Sequence, residues 1–214
     1  MALLSTRDDS KRQPQLSRDD WIEAALAVLV EEGFEAVQIT QLARRLEVTR
    51  GSFYWHFKSR EELLEALLEE WRARNTGVML GALSAATSLI EGILELFLVW
   101  VDHQQFDPKL DQAVRDWARR SEAARDSVAA EDGNRVAAIA AFFERHGYEP
   151  TEAFIRARVL YFTQLSYYAL VFEEPLTERM GYLTAYIRCF TGREIDEADA
   201  QAFFARLAKQ GSGS

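Results

Sequence analysis

Apolar residues recur three and four positions apart along almost the whole chain, and the 214 residues include only four prolines. This spacing is typical of helices with one buried face. Runs rich in β-branched residues, which would indicate strands, are few. The sequence therefore predicts an all-α fold.

Capping residues mark the helix starts in the first third of the chain. Ser17 and Asp20 have capping-box spacing, and Gly33 is expected to end the helix that they begin. Thr49 is expected to cap a short helix, and Ser59 opens a longer one with a second box. Further helices are predicted over 84–105, 107–120, 121–146 with a possible bend near 132, 150–172, 175–190 and from about 196.

The change to longer, more aromatic helices near residue 76 suggests a domain boundary. We predict a flexible arm over 1–16, a first domain over 17–75, a second over 76–210 and an appended Gly-Ser tail over 211–214. No stretch is long and apolar enough to span a membrane, and 1–16 lacks the apolar core of a signal peptide. These features favour a cytoplasmic protein.

Cysteine and histidine usage excludes several kinds of site. The single cysteine, Cys189, cannot form an internal disulfide, and the three histidines are far apart in sequence. No nucleophile and base occur at a catalytic spacing. We therefore expect no metal, no cofactor and no enzymatic activity.

The charge distribution points toward nucleic acid although the chain has a net charge of −9. Residues 38–60 include five cationic side chains and a single acidic one, Glu47. Lys and Arg supply most non-specific affinity for phosphates. A basic segment on an acidic body is compatible with a DNA-binding domain joined to a separate domain.

Residues 38–57 have the pattern of two short helices that cross steeply. Ala43 allows close approach, and Leu42, Leu46, Val48 and Phe53 supply a shared apolar wedge. Such a pair forms a helix-turn-helix, whose second helix enters the major groove. The side chains predicted to point outward from that helix can all donate hydrogen bonds to DNA: Arg50, Ser52, Tyr54, Trp55 and His56.

The segment from about Ser17 to Trp71 resembles the DNA-binding domain of the TetR family of repressors. The resemblance is carried by Gly33-Phe34, Leu42-Ala43, Val48-Thr49, Gly51 to Lys58 and Ser59 to Leu63. It implies a three-helix N-terminal helix-turn-helix domain and a larger helical ligand-binding and dimerisation domain. It also implies phosphate contacts by Tyr54, His56 and Lys58, contacts to bases or nearby phosphates by Arg50 and Ser52, and contacts from Gln38, Thr40 and the Thr49 cap.

Two residues depart from that family pattern. Glu47 occupies a turn position where the family usually has glycine, which costs about 1 kcal/mol if the backbone there is left-handed. Arg60 replaces the usual lysine and keeps the charge, with a different geometry toward phosphate. We retain Trp55 and Arg60 among the expected DNA contacts.

The second domain is dense in aromatic residues with a few polar groups, as apolar ligand sites often are. The candidate side chains for a small hydrophobic or aromatic ligand are Phe97, Trp100, His103, Trp117, Tyr161, Gln164 and Tyr168. By the resemblance, the last two long helices would form a four-helix bundle with a second copy, and the expected dimerisation residues are Phe154, Leu165, Leu176, Leu183 and Ile187. Ordinary core and dimer packing is the alternative for any one of the ligand residues, and an internal helix pair of a monomer is the alternative for the dimerisation residues.

These inferences predict a ligand-responsive repressor that binds palindromic double-stranded operator DNA as a homodimer. Two alternatives stay open. The protein could be a regulator or activator that binds DNA without a ligand. It could also use its helical body to bind a hydrophobic metabolite without acting on DNA.

Overall fold

The computed structural model describes residues 16–170 and 174–211, except the side chains of 176 and 208–211. Most of the predicted arm, the predicted tail from 212 and the predicted helix end at Phe172 lie outside these residues. All regular secondary structure in the described part is helical, so the all-α prediction is confirmed. None of its helices has the length and apolarity needed to cross a bilayer.

Four α-helices build the N-terminal region: α1 (Arg18–Glu32), α2 (Ile39–Arg45), α3 (Arg50–Phe53) and α4 (Arg60–Trp71), with a 3-10 turn at Phe34–Ala36 after α1. Ser17 and Asp20 form the expected capping box, and the Ser59 hydroxyl accepts from the Glu62 N–H. Thr49 occupies the N-cap position of α3, but its side chain makes no capping hydrogen bond. The predicted position of this cap is therefore confirmed, but the predicted capping hydrogen bond is wrong.

The remaining described residues form eight helices: α5 (Gly77–Ala85), α6 (Leu89–Val101), α7 (Pro108–Ala118), α8 (Glu122–Arg145), α9 (Pro150–Ala169), α10 (Leu176–Gly181), α11 (Leu183–Thr191) and α12 (Glu197–Gly211). One π-helical turn, Arg72–Thr76, joins α4 to α5. The backbone is thus helical through the point where the sequence suggested a domain boundary.

Two expected helices are broken, and one expected bend does not interrupt its helix. The segment predicted over 84–105 is divided before α6, because Ser88 and Glu91 form a capping box that begins a new helix. The segment over 175–190 is divided at Tyr182. Helix α8 runs unbroken for 24 residues through Gly133.

The described residues form two apolar cores, and α7 contributes to the first of them. That core contains the inner faces of α1 to α4 together with Leu110, Val114 and Trp117 of α7. The second core lies among α5, α6, α8, α9, α11 and α12. Because α7 packs on the N-terminal helices as well as on α8 and α9, it lies between the two parts.

A buried network of charged side chains joins α7 to its neighbours. Asp111 on α7 accepts from Arg135 Nη1 at 3.0 Å and from Arg115 Nε at 2.8 Å. Arg115 also binds both carboxylate oxygens of Asp132, at 2.8 and 2.7 Å. The hydroxyl of Tyr161 on α9 donates to Asp132 at 2.6 Å. Two carboxylates thus balance two guanidinium groups, of which Asp111 and Arg135 are buried and Arg115 and Asp132 are half-buried.

The same network reaches the helix that supports the N-terminal region. Asp111 Oδ1 accepts from the indole nitrogen of Trp71, the last residue of α4, at 2.9 Å. Arg135 Nε donates to the Thr76 hydroxyl at 2.9 Å, and Thr76 lies in the π turn. The end of α4 is therefore attached to α7 and α8 by directional polar contacts as well as by packing.

Candidate nucleic-acid interface

The apolar wedge expected between α2 and α3 is present. Leu42 and Phe53 are buried with Ala43 and Phe57, and the other two wedge residues, Leu46 and Val48, are half-buried against the same core. The Phe53 ring lies edge-on to Trp21 of α1, with 5.3 Å between ring centroids, and stacks on Phe57 at the same distance. These contacts fix α3 on α1 and leave its opposite side exposed.

The turn between α2 and α3 has the backbone conformation that the departure at Glu47 suggested. Glu47 has φ = 57°, and it is the only non-glycine residue with positive φ among those described. The Val48 N–H closes the turn by donating to the Ala43 carbonyl at 2.9 Å. A residue other than glycine costs about 1 to 2 kcal/mol in this left-handed region. The tight turn is thus made at a conformational cost.

Most of the predicted DNA-contacting side chains lie on the exposed side of α2, α3 and the turn that follows. Trp55 is 87% exposed and Tyr54 is 54% exposed, although both are large aromatic residues. Ser52 and His56 are half-buried, and the other exposed members of the predicted set are Gln38, Thr40, Thr49, Arg50 and Lys58. Core packing does not account for a tryptophan this exposed.

Arg60 behaves differently from the other predicted contacts. Its Nε donates to the Val37 carbonyl at 2.6 Å and its Nη2 to the Phe34 carbonyl at 3.3 Å. Its guanidinium also lies over the Phe34 ring, 4.8 Å from the centroid. The expectation that Arg60 faces DNA is at odds with this arrangement, because these contacts direct it toward the turn after α1. The family resemblance could not reveal this inward role.

The surface around α3 keeps its positive charge. Within the described part of the chain, no carboxylate lies within ion-pair distance of the side chains of Arg44, Arg50 or Lys58. Arg45 instead pairs with Glu31 at 2.8 Å. Unpaired cations beside exposed donors make a surface that suits the phosphate backbone of a duplex.

Comparison with known proteins agrees with this geometry. Residues 22–67 match the family described as bacterial regulatory proteins, tetR family. The N-terminal region of the chain therefore carries a domain of the TetR family. The transcriptional repressor KstR2 of Mycolicibacterium smegmatis is 30% identical over 90 residues, which cover 42% of this chain and 44% of that protein. The class D tetracycline repressor of Escherichia coli is 38% identical over 61 residues, 28% of each chain.

Solved structures share the fold of this chain at low sequence identity. The ketosteroid transcriptional regulator KstR2 of Mycobacterium tuberculosis aligns with a TM-score of 0.61 at 19% identity, over 86% of this chain and 98% of that one. Salmonella enterica GusR aligns with a TM-score of 0.58 at 15% identity, over 95% and 98%. The chain spans less than half the length of the curated relatives described above. Their likeness therefore bears on less than half of this chain.

The seven predicted ligand residues do not meet in one place. Phe97 and Trp100 pack in the second core, and Trp117 packs in the first. The Tyr161 hydroxyl belongs to the buried charge network. Gln164 and Phe97 line a cavity of about 10 Å³. His103 and Tyr168 line a different and larger cleft, together with Trp117.

The predicted dimerisation residues also separate. Phe154 is exposed and Leu165 is half-buried, but Leu183 and Ile187 are buried in the second core. The side chain of Leu176 lies outside the described residues. The exposed apolar side chains of α9 that the prediction missed are Ile155, Val159 and Phe162. Their spacing of four and three residues was the available signal, because it defines one side of a helix.

Proposed function

We propose that this protein is a transcriptional repressor that binds palindromic operator DNA as a homodimer and is regulated by a small apolar ligand. The observation that carries the DNA-binding part is the exposed side of α3, where Arg50 is exposed and the aromatic side chains of Tyr54 and Trp55 are 54% and 87% exposed. The neighbouring cations supply phosphate affinity. The match to tetR-family regulators over residues 22–67 supports the same assignment.

The exposed side of α9 supports dimerisation. We define the α9 face as Phe154, Ile155, Arg158, Val159 and Phe162. Four of these residues are apolar and 43% to 50% exposed. The Arg158 guanidinium lies over both phenylalanine rings, at 5.4 and 5.2 Å from their centroids. Contiguous apolar surface of this kind marks an interaction site.

A second copy is the occupant that best fits the DNA-binding proposal. Two recognition helices must enter successive major grooves about 34 to 36 Å apart on a palindromic site. Shallow concavities of about 620 and 530 Å³ lie along the α9 face, and Ile155 and Val159 line both. Side chains of a symmetry-related α9 could fill them, as in an isologous interface.

Two observations support ligand regulation by the body. The Gln164 Nε2 is buried and has no acceptor among the described residues, although its Oε1 accepts from Arg179 at 2.8 Å. A protein of similar fold is a ketosteroid transcriptional regulator, and a ketosteroid is a largely apolar molecule. The cavity beside Gln164 holds only about 10 Å³, so a ligand there requires the body to open. That small volume favours a second candidate function, in which the protein is a regulator that binds DNA without a ligand.

The deciding experiment is selection of bound duplexes from a pool of random sequence, followed by mass measurement of the complex. We expect a palindromic consensus and two chains per duplex, with affinity that falls steeply with salt. Arg50→Ala should weaken the selected complex strongly, whereas Arg125→Ala, an exposed cation on α8, should not. Failure to enrich any duplex at low ionic strength would refute the DNA-binding proposal.

A further inference from the structure

A cleft of about 920 Å³ lies between the N-terminal helices and the body. One wall is formed by the end of α1 and the turn after it, and the other by α7. Its volume is in the range of small-molecule sites, about 300 to 1,000 Å³, and such sites occur preferentially between domains. We call it the inter-domain cleft; it is distinct from the cavity beside Gln164, although Tyr167 lines both.

The apolar part of the cleft suits a flat ring system. Phe34 of the N-terminal wall stacks on Trp117 of the α7 wall, with 5.0 Å between centroids and 11° between planes. Leu29, Val30 and Ala113 extend this apolar lining. Two parallel aromatic rings with aliphatic neighbours favour an aromatic or alicyclic partner over a flexible polar one.

Polar groups of the cleft favour one negative charge on the ligand. Trp117 Nε1 is buried and has no acceptor among the described residues. Lys109 lines the cleft, and its side chain has no ion-pair partner within the described part of the chain. The other two cations are engaged, since Arg119 pairs with Asp116 at 3.5 Å and Arg120 pairs with Glu35 at 2.5 Å.

The carboxylates of the cleft are likewise engaged, which argues against a cationic ligand. Glu32 accepts from Gln41 at 2.6 Å, and Asp116 accepts from Gln112 at 3.4 Å in addition to its ion pair. Among the described residues that line the cleft, three donors thus remain available: the Lys109 ammonium, the Trp117 indole N–H and the exposed His103 imidazole. From this balance we infer that the inter-domain cleft is a binding site for an aromatic or alicyclic monocarboxylate.

The cleft is connected to the DNA-binding surface through Arg60. Phe34 forms part of the cleft, and Arg60 at the start of α4 binds its carbonyl and covers its ring. A ligand that separates Phe34 from Trp117 therefore also displaces the start of α4. This regulatory consequence rests on the proposed function, whereas binding in the cleft does not.

The test measures binding of 2-naphthoate to the full chain by calorimetry and by NMR of the Trp117 indole N–H, assigned from its loss in Trp117→Phe. We expect one saturable site per chain and a shifted indole resonance. The neutral analogue 2-naphthamide should bind about tenfold more weakly, because it lacks the charge that Lys109 complements. No saturable binding at about 1 mM naphthoate would overturn the inference.

Two variants locate the site. Lys109→Gln, at an exposed position, should lower naphthoate affinity about tenfold and leave naphthamide affinity unchanged. Ala113→Phe should fill the cleft and abolish binding, whereas Ala129→Phe on the exposed side of α8 should not; thermal denaturation checks that each variant is folded. Naphthoate affinity unchanged in Ala113→Phe would place the ligand elsewhere. Binding of naphthoate by a protein that enriches no duplex would refute the proposed function and leave the cleft assignment intact.

Discussion

Substitution of Asp111 by asparagine isolates the contribution of the buried charge network. The carboxylate is buried and accepts from Trp71, Arg115 and Arg135, and Arg135 has no exposed surface. An asparagine at this position would keep the shape and one acceptor oxygen but would leave the Arg135 charge without its ion-pair partner. Loss of one member of a buried pair costs about 3 to 5 kcal/mol. That is a large part of the about 5 to 15 kcal/mol that stabilises a typical fold.

Urea denaturation followed by circular dichroism measures this loss directly. With a slope of about 2 to 3 kcal/mol per molar urea, Asp111→Asn should lower the midpoint by about 1 to 2 M. Asp116→Asn is the matched control, because Asp116 lies on the same helix and pairs with Arg119 through side chains that are 61% and 77% exposed. Its effect should stay below about 0.5 kcal/mol.

The double variant Asp111→Asn with Arg135→Met tests the electrostatic explanation. Because Met removes the unpaired buried charge and fills similar apolar volume, the second substitution should recover a large part of the lost stability. A double variant as unstable as the sum of the two single variants would refute the reasoning. The result would then mean that Asp111 stabilises the fold through hydrogen-bond geometry rather than through charge.

Four further outcomes are expected. Lys58→Ala should weaken binding to all duplexes about equally and reduce the salt slope by about 1, whereas Arg50→Ala should also change the preferred sequence, both measured by fluorescence anisotropy. Val159→Asp should yield monomers in analytical ultracentrifugation, because it places a charge in the α9 face. Glu47→Gly should be more stable to heat than Glu47→Ala by about 1 kcal/mol, since only glycine adopts positive φ without strain. Burial raises the pKa of Asp111, but the adjacent guanidinium charges lower it by more, so the pKa lies below the ordinary value of 3.8. In an acid titration of the free energy of unfolding, the contribution of Asp111 should therefore persist down to about pH 4 and disappear only at lower pH.

The N-terminal region could be predicted from sequence because its signals are local. Ser17, Gly33 and Ser59 act through hydrogen bonds or backbone conformations within a few residues, and the structure has a helix boundary at each. The left-handed conformation at Glu47 was raised only conditionally, through the glycine that the TetR family usually has at that position, and the structure has φ = 57° there. The role of Arg60 did not, because its acceptors, Val37 and Phe34, lie more than 20 residues earlier in the chain.

The body was harder to predict because the same residues suit several environments. An aromatic residue such as Tyr161 fits a ligand pocket, an apolar core or a charge network, and only the arrangement of α7, α8 and α9 selects the last. Leu183 and Ile187 lie on the inner side of α11, whereas the residues of α9 at comparable spacing are exposed. Periodicity identifies a helical face, but it does not say whether that face meets this chain or another one.

Helix α4 is held at both ends by contacts to different parts of the chain. At its start, Arg60 binds the turn that forms one wall of the inter-domain cleft. At its end, Trp71 donates to Asp111 of the buried charge network. Because a packed helix moves as a nearly rigid body, we expect a change in either place to tilt or shift α4 relative to α3. Asp111→Asn should consequently alter the salt-independent part of DNA affinity, even though Asp111 lies far from α3 in sequence. Asp116→Asn should not alter it, because this variant leaves α4 attached at both ends.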